Sequence, residues 1–237
     1  MPARNNAHAT LFMLGQHVQN YQDDVKRMLE LGCEIGNHSW DHANMYELSL
    51  DSVVKEFNDA DQALIDACGQ ASTVVRAPYG NANEDIMNAV GKPFFMWSLD
   101  SLDWKYKDVD LDYKSIMQDN SSVIKDGTII LMHDIHEPSV KAAERIIPEL
   151  INMGFKLVTV SEMAEAKNVT LQNASYNNFW QDILDQGLVP GYAGNSTSDA
   201  DTSDGTEDSS DGSEDGSGSD GSEDYSDGSE DGSNSSE

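Results

Sequence analysis

Six short runs that suit β-strands alternate with helical patterns along this chain, and this alternation constrains the fold more than any other feature. The runs fall at residues 9–14, 34–37, 73–76, 93–99, 127–132 and 156–160. Apolar residues at helical spacing predict helices at 21–31, 49–68, 83–90, 113–124 and 140–153, with a last helix capped by Ser161. Strict alternation predicts an α/β fold with a parallel sheet, either closed into a barrel or open and doubly wound. No G-x-G-x-x-G follows the first strand, so a dinucleotide-binding fold lacks its main signature.

The chain is strongly acidic, and the acids are concentrated towards the C-terminus. Its 237 residues include 43 Asp and Glu against 14 Lys and Arg, a formal net charge of −29, and 15 of the acids lie in residues 197–237. Such a charge disfavours binding to nucleic acid or to an anionic membrane. From about Asn195 the sequence is almost entirely Ser, Asp, Glu and Gly, which predicts a disordered linker to a neighbouring domain. Its acids do not follow the spacing of an EF-hand loop, so calcium binding is the less favoured interpretation.

Three further patterns limit the class of protein. No apolar run reaches the ~18 residues of a transmembrane helix, and residues 1–6 show no signal peptide. Cys33 and Cys68 form no C-x-x-C pair, so we expect two buried thiols, with a single disulfide as the alternative. The part of the chain before the linker is long enough for one large domain.

Polar side chains follow four of the predicted strands, at the ends where a parallel barrel places its active site. His38 and His42 follow the second strand at a spacing that lets two imidazoles bind one metal ion, although two unrelated histidines are the alternative. Arg76 follows the third strand and either holds a carboxylate or begins an ordinary turn.

The fourth and fifth strands end in the same way. Asp103 and Trp104 follow the fourth strand, where the carboxylate can orient a histidine and the indole can line a sugar site, or both can belong to a polar turn. His133 follows the fifth strand as a candidate general acid or base, or as a satisfied buried histidine. Together the four strand ends favour a barrel that carries out metal-assisted hydrolysis.

Residues 7–165 resemble the polysaccharide deacetylases with a NodB homology domain, carbohydrate esterase family 4. The segment His38-Ser39-Trp40-Asp41-His42 is similar to the family's histidine metal motif in an H-S-x-x-H form. Similar matches are Arg76-Ala77-Pro78-Tyr79-Gly80 to R-x-P-Y-G, Asp100-Ser101-Leu102-Asp103-Trp104 to D-[ST]-x-D-W, and Leu131-Met132-His133 to L-x-H. The resemblance implies a distorted (β/α) barrel that hydrolyses N-acetyl or O-acetyl groups on polysaccharide.

The resemblance also implies a role for each matched residue. His38 and His42 would bind a divalent metal, and zinc is the metal that we expect. His133 would protonate the leaving group, and Asp103 would orient the His133 ring. Arg76 would hold the catalytic carboxylate. The Tyr79 backbone N–H would donate a hydrogen bond to the oxyanion, and Trp104 would line the site.

One motif of the family has no counterpart here. The family's first motif is F-D-D. It lies at the end of a strand that precedes the family's counterpart of the strand at Ala9. The motif supplies the base Asp and the third metal ligand. The first eight residues contain no Asp. We therefore expect this chain to lack the family's first strand, the base and one metal ligand. Neither Asp41 nor Asp134 lies at a position that the family uses for a metal ligand. We expect the chain as given to be inactive and to be a fragment of a modular enzyme.

Two functional hypotheses follow. The first is a hydrolase that removes acetyl groups from chitin, peptidoglycan or xylan, and the second is a degenerate module that binds polysaccharide without catalysis. We expect three segments: a deacetylase-like domain at 1–170, an extension at 171–194 and the linker at 195–237. The resemblance and the linker favour an extracellular location, with further domains of the same polypeptide beyond the linker.

Overall fold

A computed structural model describes residues 6–188, and the predicted linker at 195–237 lies outside these residues. The described chain contains six short strands and nine α-helices. The strands are β1 Thr10–Met13, β2 Glu34–Asn37, β3 Phe94–Phe95, β4 Leu99–Asp100, β5 Ile130–Leu131 and β6 Ser175–Tyr176. The helices are α1 Gly15–Val18, α2 Gln22–Glu30, α3 Leu50–Cys68, α4 Glu84–Val90, α5 Asp103–Tyr106, α6 Val109–Lys114, α7 Glu137–Asn152, α8 Val160–Ala166 and α9 Phe179–Asp185.

The strands pair in parallel, as their apolar runs predict. β1 pairs with β2, β3 with β6, and β4 with β5. Single parallel bridges join Asn37 to Val75 and Val75 to Phe94, so the third predicted strand contributes one residue between β2 and β3. Because neighbouring strands run in the same direction, their carboxyl ends lie at one edge of the sheet.

The longest helix shows how local sequence sets the element boundaries. The Ser49 hydroxyl accepts a hydrogen bond from the Ser52 N–H at the start of α3, and Gly69 ends the helix in the left-handed conformation with φ of 84°. A serine N-cap and a glycine just past the last turn are the usual helix signals, and both are predicted from the sequence. The buried face of α3, which includes Val53, Phe57 and Leu64, packs against the sheet.

The prediction of a last strand at 156–160 is wrong. This segment forms no strand, although the His8 N–H donates to Leu157 O at 3.0 Å and the Val160 N–H donates to Thr10 Oγ1 at 2.9 Å. β1 pairs with β2 and with no other strand of residues 6–188, so no ladder extends along the segment. The helix that follows begins earlier than predicted, because Thr159, and not Ser161, is the N-cap of α8 in a capping box with Glu162.

The helix predicted at 113–124 is also broken into parts. α6 begins earlier, at Val109, and its end continues into a π-helical turn at Ser115–Asp119 and a short 3₁₀ turn at Ser121–Val123. A π turn inserts one extra residue into the helical repeat, which the regular apolar spacing of a sequence does not reveal.

Residues 171–188 pack against the barrel strands. β6 adds to β3 in the register Phe94 to Ser175 and Phe95 to Tyr176. Phe179 and Ile183 of α9 are fully buried in the same cluster as Phe95. These residues therefore complete one side of the hydrophobic core.

Two smaller expectations have mixed outcomes. Cys33 and Cys68 are free thiols, but only Cys33 is buried, since Cys68 lies at the partly exposed end of α3. No helix of residues 6–188 combines the length and the apolar composition needed to cross a bilayer.

Candidate active site

The loop after β2 brings His38 and His42 side by side. Ser39 and His42 both have positive φ, 72° and 71°, so the chain turns sharply between the two imidazoles. The Ser39 hydroxyl accepts a hydrogen bond from the His42 N–H at 3.1 Å. The two rings meet edge to face with centroids 5.0 Å apart. Two imidazoles in this arrangement can bind one cation.

The hydrogen bonds of His38 determine which ring nitrogen is free. Its Nδ1 lies 2.8 Å from the Arg76 carbonyl oxygen, which can only accept, so Nδ1 carries the proton and Nε2 presents its lone pair. Burial, opposed by this bond, lowers the pKa of His38 to about 3. Burial and the nearby His133 also lower the pKa of His42. Both rings are therefore neutral at neutral pH, the form that binds a metal.

A buried amide network holds this loop in place. The Asn37 side chain is fully buried, donates to Phe57 O and Asp61 Oδ1, each at 2.8 Å, and accepts from the Ser39 N–H at 2.9 Å. Asp61 in turn forms an ion pair with Lys92, which also donates to the Ser72 carbonyl at 2.7 Å. The sequence motifs do not include Asn37, Asp61 or Lys92 among the site residues. A polar residue inside a buried strand, directly before His38, is the signal that could have identified Asn37.

Arg76 lies at the end of the Val75 bridge with its guanidinium turned inward. Nε donates to Phe95 O at 2.7 Å and one terminal nitrogen donates to Met96 O at 2.9 Å, while the group stacks 4.3 Å above the Phe12 ring. Burial lowers the pKa of Arg76 to about 10. No carboxylate within residues 6–188 forms an ion pair with it, although Arg76 is predicted to hold one.

Tyr79 follows in a 3₁₀ turn at Pro78–Gly80. Its φ of 57° is unusual for a residue with a side chain, and its ring is 64% exposed and meets the His42 ring edge to face at 4.7 Å. Strained backbone of this kind is often found in functional loops. The ring contact places Tyr79 beside the histidine loop.

His133 and Asp103 form a closely bonded pair at the ends of β5 and β4. His133 Nδ1 lies 2.7 Å from Asp103 Oδ1, and the His133 backbone N–H donates to Oδ2 at 2.6 Å. Burial would raise the pKa of Asp103, but these hydrogen bonds outweigh burial and lower it to about 2. The ionised carboxylate fixes the proton on Nδ1, which leaves Nε2 to face the site. Beside the pair, Trp104 is 50% exposed.

All seven predicted site residues therefore lie at the carboxyl edge of the sheet. The histidines at its two sides interact electrostatically, since His133 contributes to the lowered pKa of both His38 and His42. Asp41 and Asp134 are exposed, and no group of three His, Cys, Asp or Glu side chains within residues 6–188 is arranged to hold a metal ion.

Comparison with known proteins identifies the architecture. The family model for polysaccharide deacetylases matches residues 3–93. The peptidoglycan-N-acetylmuramic acid deacetylase PdaC of Bacillus subtilis strain 168 is 39% identical over 160 residues, which are 68% of this chain and 33% of that protein. The solved PdaC structure is similar with a TM-score of 0.67 and 32% identity, covering 78% of this chain and 84% of that one. The chain belongs to the polysaccharide deacetylase family.

Two other solved structures of the family are informative. A family 4 acetyl xylan esterase from Clostridium thermocellum, in complex with a cobalt ion, has a TM-score of 0.69 and 28% identity over 75% of this chain and 88% of that one. A CE4 family pseudoenzyme from Bacillus anthracis has a TM-score of 0.62 and 25% identity over 68% and 57%. These similarities confirm the predicted barrel. The chain spans 33% of the length of PdaC and 34% of the length of the peptidoglycan-N-acetylglucosamine deacetylase PgdA of Listeria monocytogenes.

The residues present fit part of a deacetylase metal site. The neutral His38 and His42 imidazoles offer two nitrogen ligands in a pre-formed loop, and a cobalt ion in the Clostridium thermocellum relative is consistent with a divalent metal in this family. Catalytic zinc sites usually have three protein ligands. His38 and His42 are the two candidate ligands in the part of the chain that the structure describes.

Proposed function

We propose that this chain forms the barrel of a metal-dependent hydrolase that removes N- or O-acetyl groups from polysaccharide. The observation that carries the proposal is the His133–Asp103 pair, which lies at the same edge of the sheet as His38 and His42 and interacts with them electrostatically. The proposed substrates are peptidoglycan, xylan and chitin. Relatives named for peptidoglycan deacetylation and for xylan esterase activity support the first two.

The proposed reaction assigns a task to each group. Hydrolysis joins a water oxygen to the acetyl carbon and breaks the bond from that carbon to nitrogen or oxygen, so the leaving amine or alcohol needs a proton. His133, when it is protonated on both ring nitrogens, delivers this proton from Nε2 and keeps the proton on Nδ1, which donates to Asp103. The Tyr79 N–H donates to the developing oxyanion, and the exposed Trp104 indole packs against a sugar ring. A divalent cation, zinc in our proposal, held by His38 and His42 would polarise the acetyl carbonyl.

The base that accepts a proton from the attacking water is not among residues 6–188. Within residues 6–188, two carbonyl oxygens and the rings of Phe12 and Trp97 are the groups that stabilise the buried positive charge of Arg76, whereas a carboxylate is the usual partner of a buried guanidinium. We therefore expect the chain of 237 residues to release acetate slowly.

Acetate release from the zinc-loaded chain tests the proposal. The substrates are acetylated chitin oligosaccharides, acetylxylan and peptidoglycan fragments, with and without formate, a small carboxylate that the Arg76 guanidinium can hold. We expect slow release that formate accelerates and that His133→Gln abolishes. Arg76→Met is the matched variant, which should remove the acceleration by formate. Fast release without formate would contradict the view that the base lies outside the described residues.

A second candidate function is binding of polysaccharide without catalysis. The absence of a carboxylate at Arg76 and of a third ligand within the described residues favours it, as does the similarity to a CE4 pseudoenzyme. Trp40, Tyr79 and Trp104 would then present rings to the sugar. Saccharide binding without any acetate release, with or without formate, would select this function.

The location and the partners follow from the substrate. A polysaccharide of the cell wall or of plant material lies outside the cell, so we propose that the protein acts there. We also propose that the Ser, Asp, Glu and Gly segment at 195–237 joins the barrel to a further domain.

A further inference from the structure

The loop that joins His38 to His42 contains backbone in an unfavourable conformation. Ser39 and His42 have φ of 72° and 71°, in the left-handed region that residues with a side chain seldom adopt. Backbone of this kind persists only where surrounding contacts hold it. The contacts of the loop backbone therefore decide whether the two imidazoles stay side by side.

The carbonyl groups of the loop bond to the start of α1. The Gly15 N–H donates to Ser39 O at 3.0 Å, and the Gln16 N–H donates to Trp40 O at 3.1 Å. α1 in turn packs directly on α3, because Gly15 has no side chain. A Cβ at this position would lie only 2.6 Å from the Ala60 Cα. The carbonyl side of the loop is thus attached to a closely packed pair of helices.

Glu56 of α3 holds the N–H groups of the same two peptide units. Its Oε2 accepts from the Trp40 N–H at 3.0 Å and from the Asp41 N–H at 3.2 Å. The neighbouring cation, Lys55, pairs with Asp59, and no ion pair within residues 6–188 includes Glu56. Both peptide units between Ser39 and Asp41 are therefore bonded at both ends, to α1 through their carbonyls and to Glu56 through their N–H groups.

We propose that Glu56 is a positioning residue for the His38–His42 pair. Its carboxylate holds the loop backbone against α1 and so keeps both imidazoles turned to one point. Glu56 acts through the Trp40 and Asp41 peptides, so its effect depends on the reach of its oxygen and not on its charge. The inference rests on the proposed function in one respect, which is the divalent metal that the two histidines bind.

Two conservative variants separate reach from charge. Glu56→Gln keeps the length of the side chain and an oxygen that can accept both N–H groups, but it removes the charge. Glu56→Asp keeps the charge and withdraws the acceptor by one methylene group. We expect Glu56→Asp to bind Zn²⁺ and Co²⁺ about tenfold more weakly than the wild type, as changes around a metal-binding histidine usually do. Glu56→Gln should bind both ions as the wild type does. Calorimetry with the full chain measures the affinities.

Two spectroscopic measurements report on the loop itself. The visible absorption of bound Co²⁺ depends on the arrangement of its ligands, so it should change in Glu56→Asp and not in Glu56→Gln. In the metal-free chain, NMR follows hydrogen exchange of the Trp40 and Asp41 amides. Exchange should be faster in Glu56→Asp, where these hydrogen bonds are lost, and unchanged in Glu56→Gln.

Asp59→Asn is the matched control, because Asp59 is another acid of α3 and pairs with Lys55 away from the loop. It should leave the metal affinity and the amide exchange unchanged. A Glu56→Asp variant that binds metal as tightly as the wild type, or a Glu56→Gln variant that binds more weakly than Glu56→Asp, would overturn the proposal. Unchanged amide exchange in Glu56→Asp would overturn it as well.

The same experiments distinguish this proposal from the proposed function. A chain that shows the expected affinities and exchange rates but releases no acetate, with or without formate, would overturn the proposed function alone. A wild-type chain that binds neither Zn²⁺ nor Co²⁺ would overturn this proposal together with the metal dependence of the proposed function.

Discussion

At the scale of single residues, two aspartates with the same burial differ widely in pKa. Asp103 and Asp112 are both 0% exposed. Two N–H groups of His133 donate to Asp103 and lower its pKa to about 2, whereas burial raises the pKa of Asp112 to about 6. Burial disfavours the charged form of both carboxyls, so the hydrogen bonds from His133 decide that Asp103 loses its proton at the lower pH.

The raised pKa of Asp112 predicts a stability cost that depends on pH. Since the folded state holds the proton more tightly than the unfolded chain, the cost is full above about pH 6 and disappears as the pH falls towards 3.8. Asp112→Asn removes the ionisable group and should raise the free energy of unfolding by ~2 kcal/mol at pH 8. At pH 4 the variant and the wild type should differ little. Urea unfolding at the two pH values measures both differences.

The control for this prediction is Asp110→Asn, which removes an exposed carboxylate from the same helix and should change stability little at either pH. An Asp112→Asn variant that is less stable than the wild type at pH 8 would show that the carboxylate makes a favourable contact in the folded state.

At the scale of secondary-structure elements, the histidine loop depends on an ion pair that lies outside the loop. Lys92, before β3, and Asp61, on α3, fix the Asn37 amide, which in turn accepts the Ser39 N–H. Asp61→Asn leaves the ammonium group of Lys92, only 23% exposed, without its charge partner. The expected cost is about 1–3 kcal/mol of stability, because removal of one partner of a buried pair leaves an uncompensated charge. We also expect weaker binding of Zn²⁺ or Co²⁺, measured by calorimetry.

Asp59→Asn is the matched variant for the ion pair. Asp59 lies on the same helix and pairs with Lys55 in an exposed i,i+4 contact. It should leave both the melting temperature and the metal affinity unchanged. Equal metal affinity in the Asp61 and Asp59 variants would contradict the role of Asp61 in positioning the loop.

The helix α9 provides a second prediction at this scale. Phe179 is fully buried and stacks near the Phe95 ring with centroids 6.2 Å apart. Phe179→Ala should lower the free energy of unfolding by about 3–5 kcal/mol, the usual cost of truncating a buried aromatic side chain. Gln181→Ala, at an exposed position of the same helix, should have little effect. A Phe179→Ala loss under 1 kcal/mol in urea unfolding would show that α9 does not support the barrel core.

At the scale of the whole molecule, the negative charge divides unevenly along the chain. Residues 197–237 carry 15 of the 43 acids and, apart from Ala200 and Tyr225, no apolar or aromatic side chain. A segment of this composition cannot bury enough apolar surface to stabilise a fold. Removing residues 195–237 should therefore leave the melting temperature of the barrel within ~2 °C, measured by circular dichroism. A larger change would show that the acidic segment contacts the barrel.

Much of the barrel is predictable from local patterns. The apolar runs at 10–13 and 34–37, the Ser49 cap and the Gly69 stop each act over a few residues, so the sequence alone locates β1, β2 and α3. The segment 156–160 has an equally apolar run but is not a strand, because a strand exists only when a neighbour completes its ladder. A pattern in one segment cannot show whether that neighbour is present.

The candidate site likewise has residues that the sequence predicts and residues that only the structure reveals. His38, His42, Arg76, Tyr79, Asp103, Trp104 and His133 are recognisable because each directly follows a strand in a motif of a few residues. The contacts of Asp61 and Lys92 became visible only in the folded chain. Their contacts join residues that are far apart in the sequence, such as Lys92 and Asp61, 31 positions apart. The sequence by itself thus determined the barrel and the residues that face its carboxyl edge. Tertiary structure alone decided which buried charges have partners, because hydrogen bonding and burial depend on neighbours that only folding brings together.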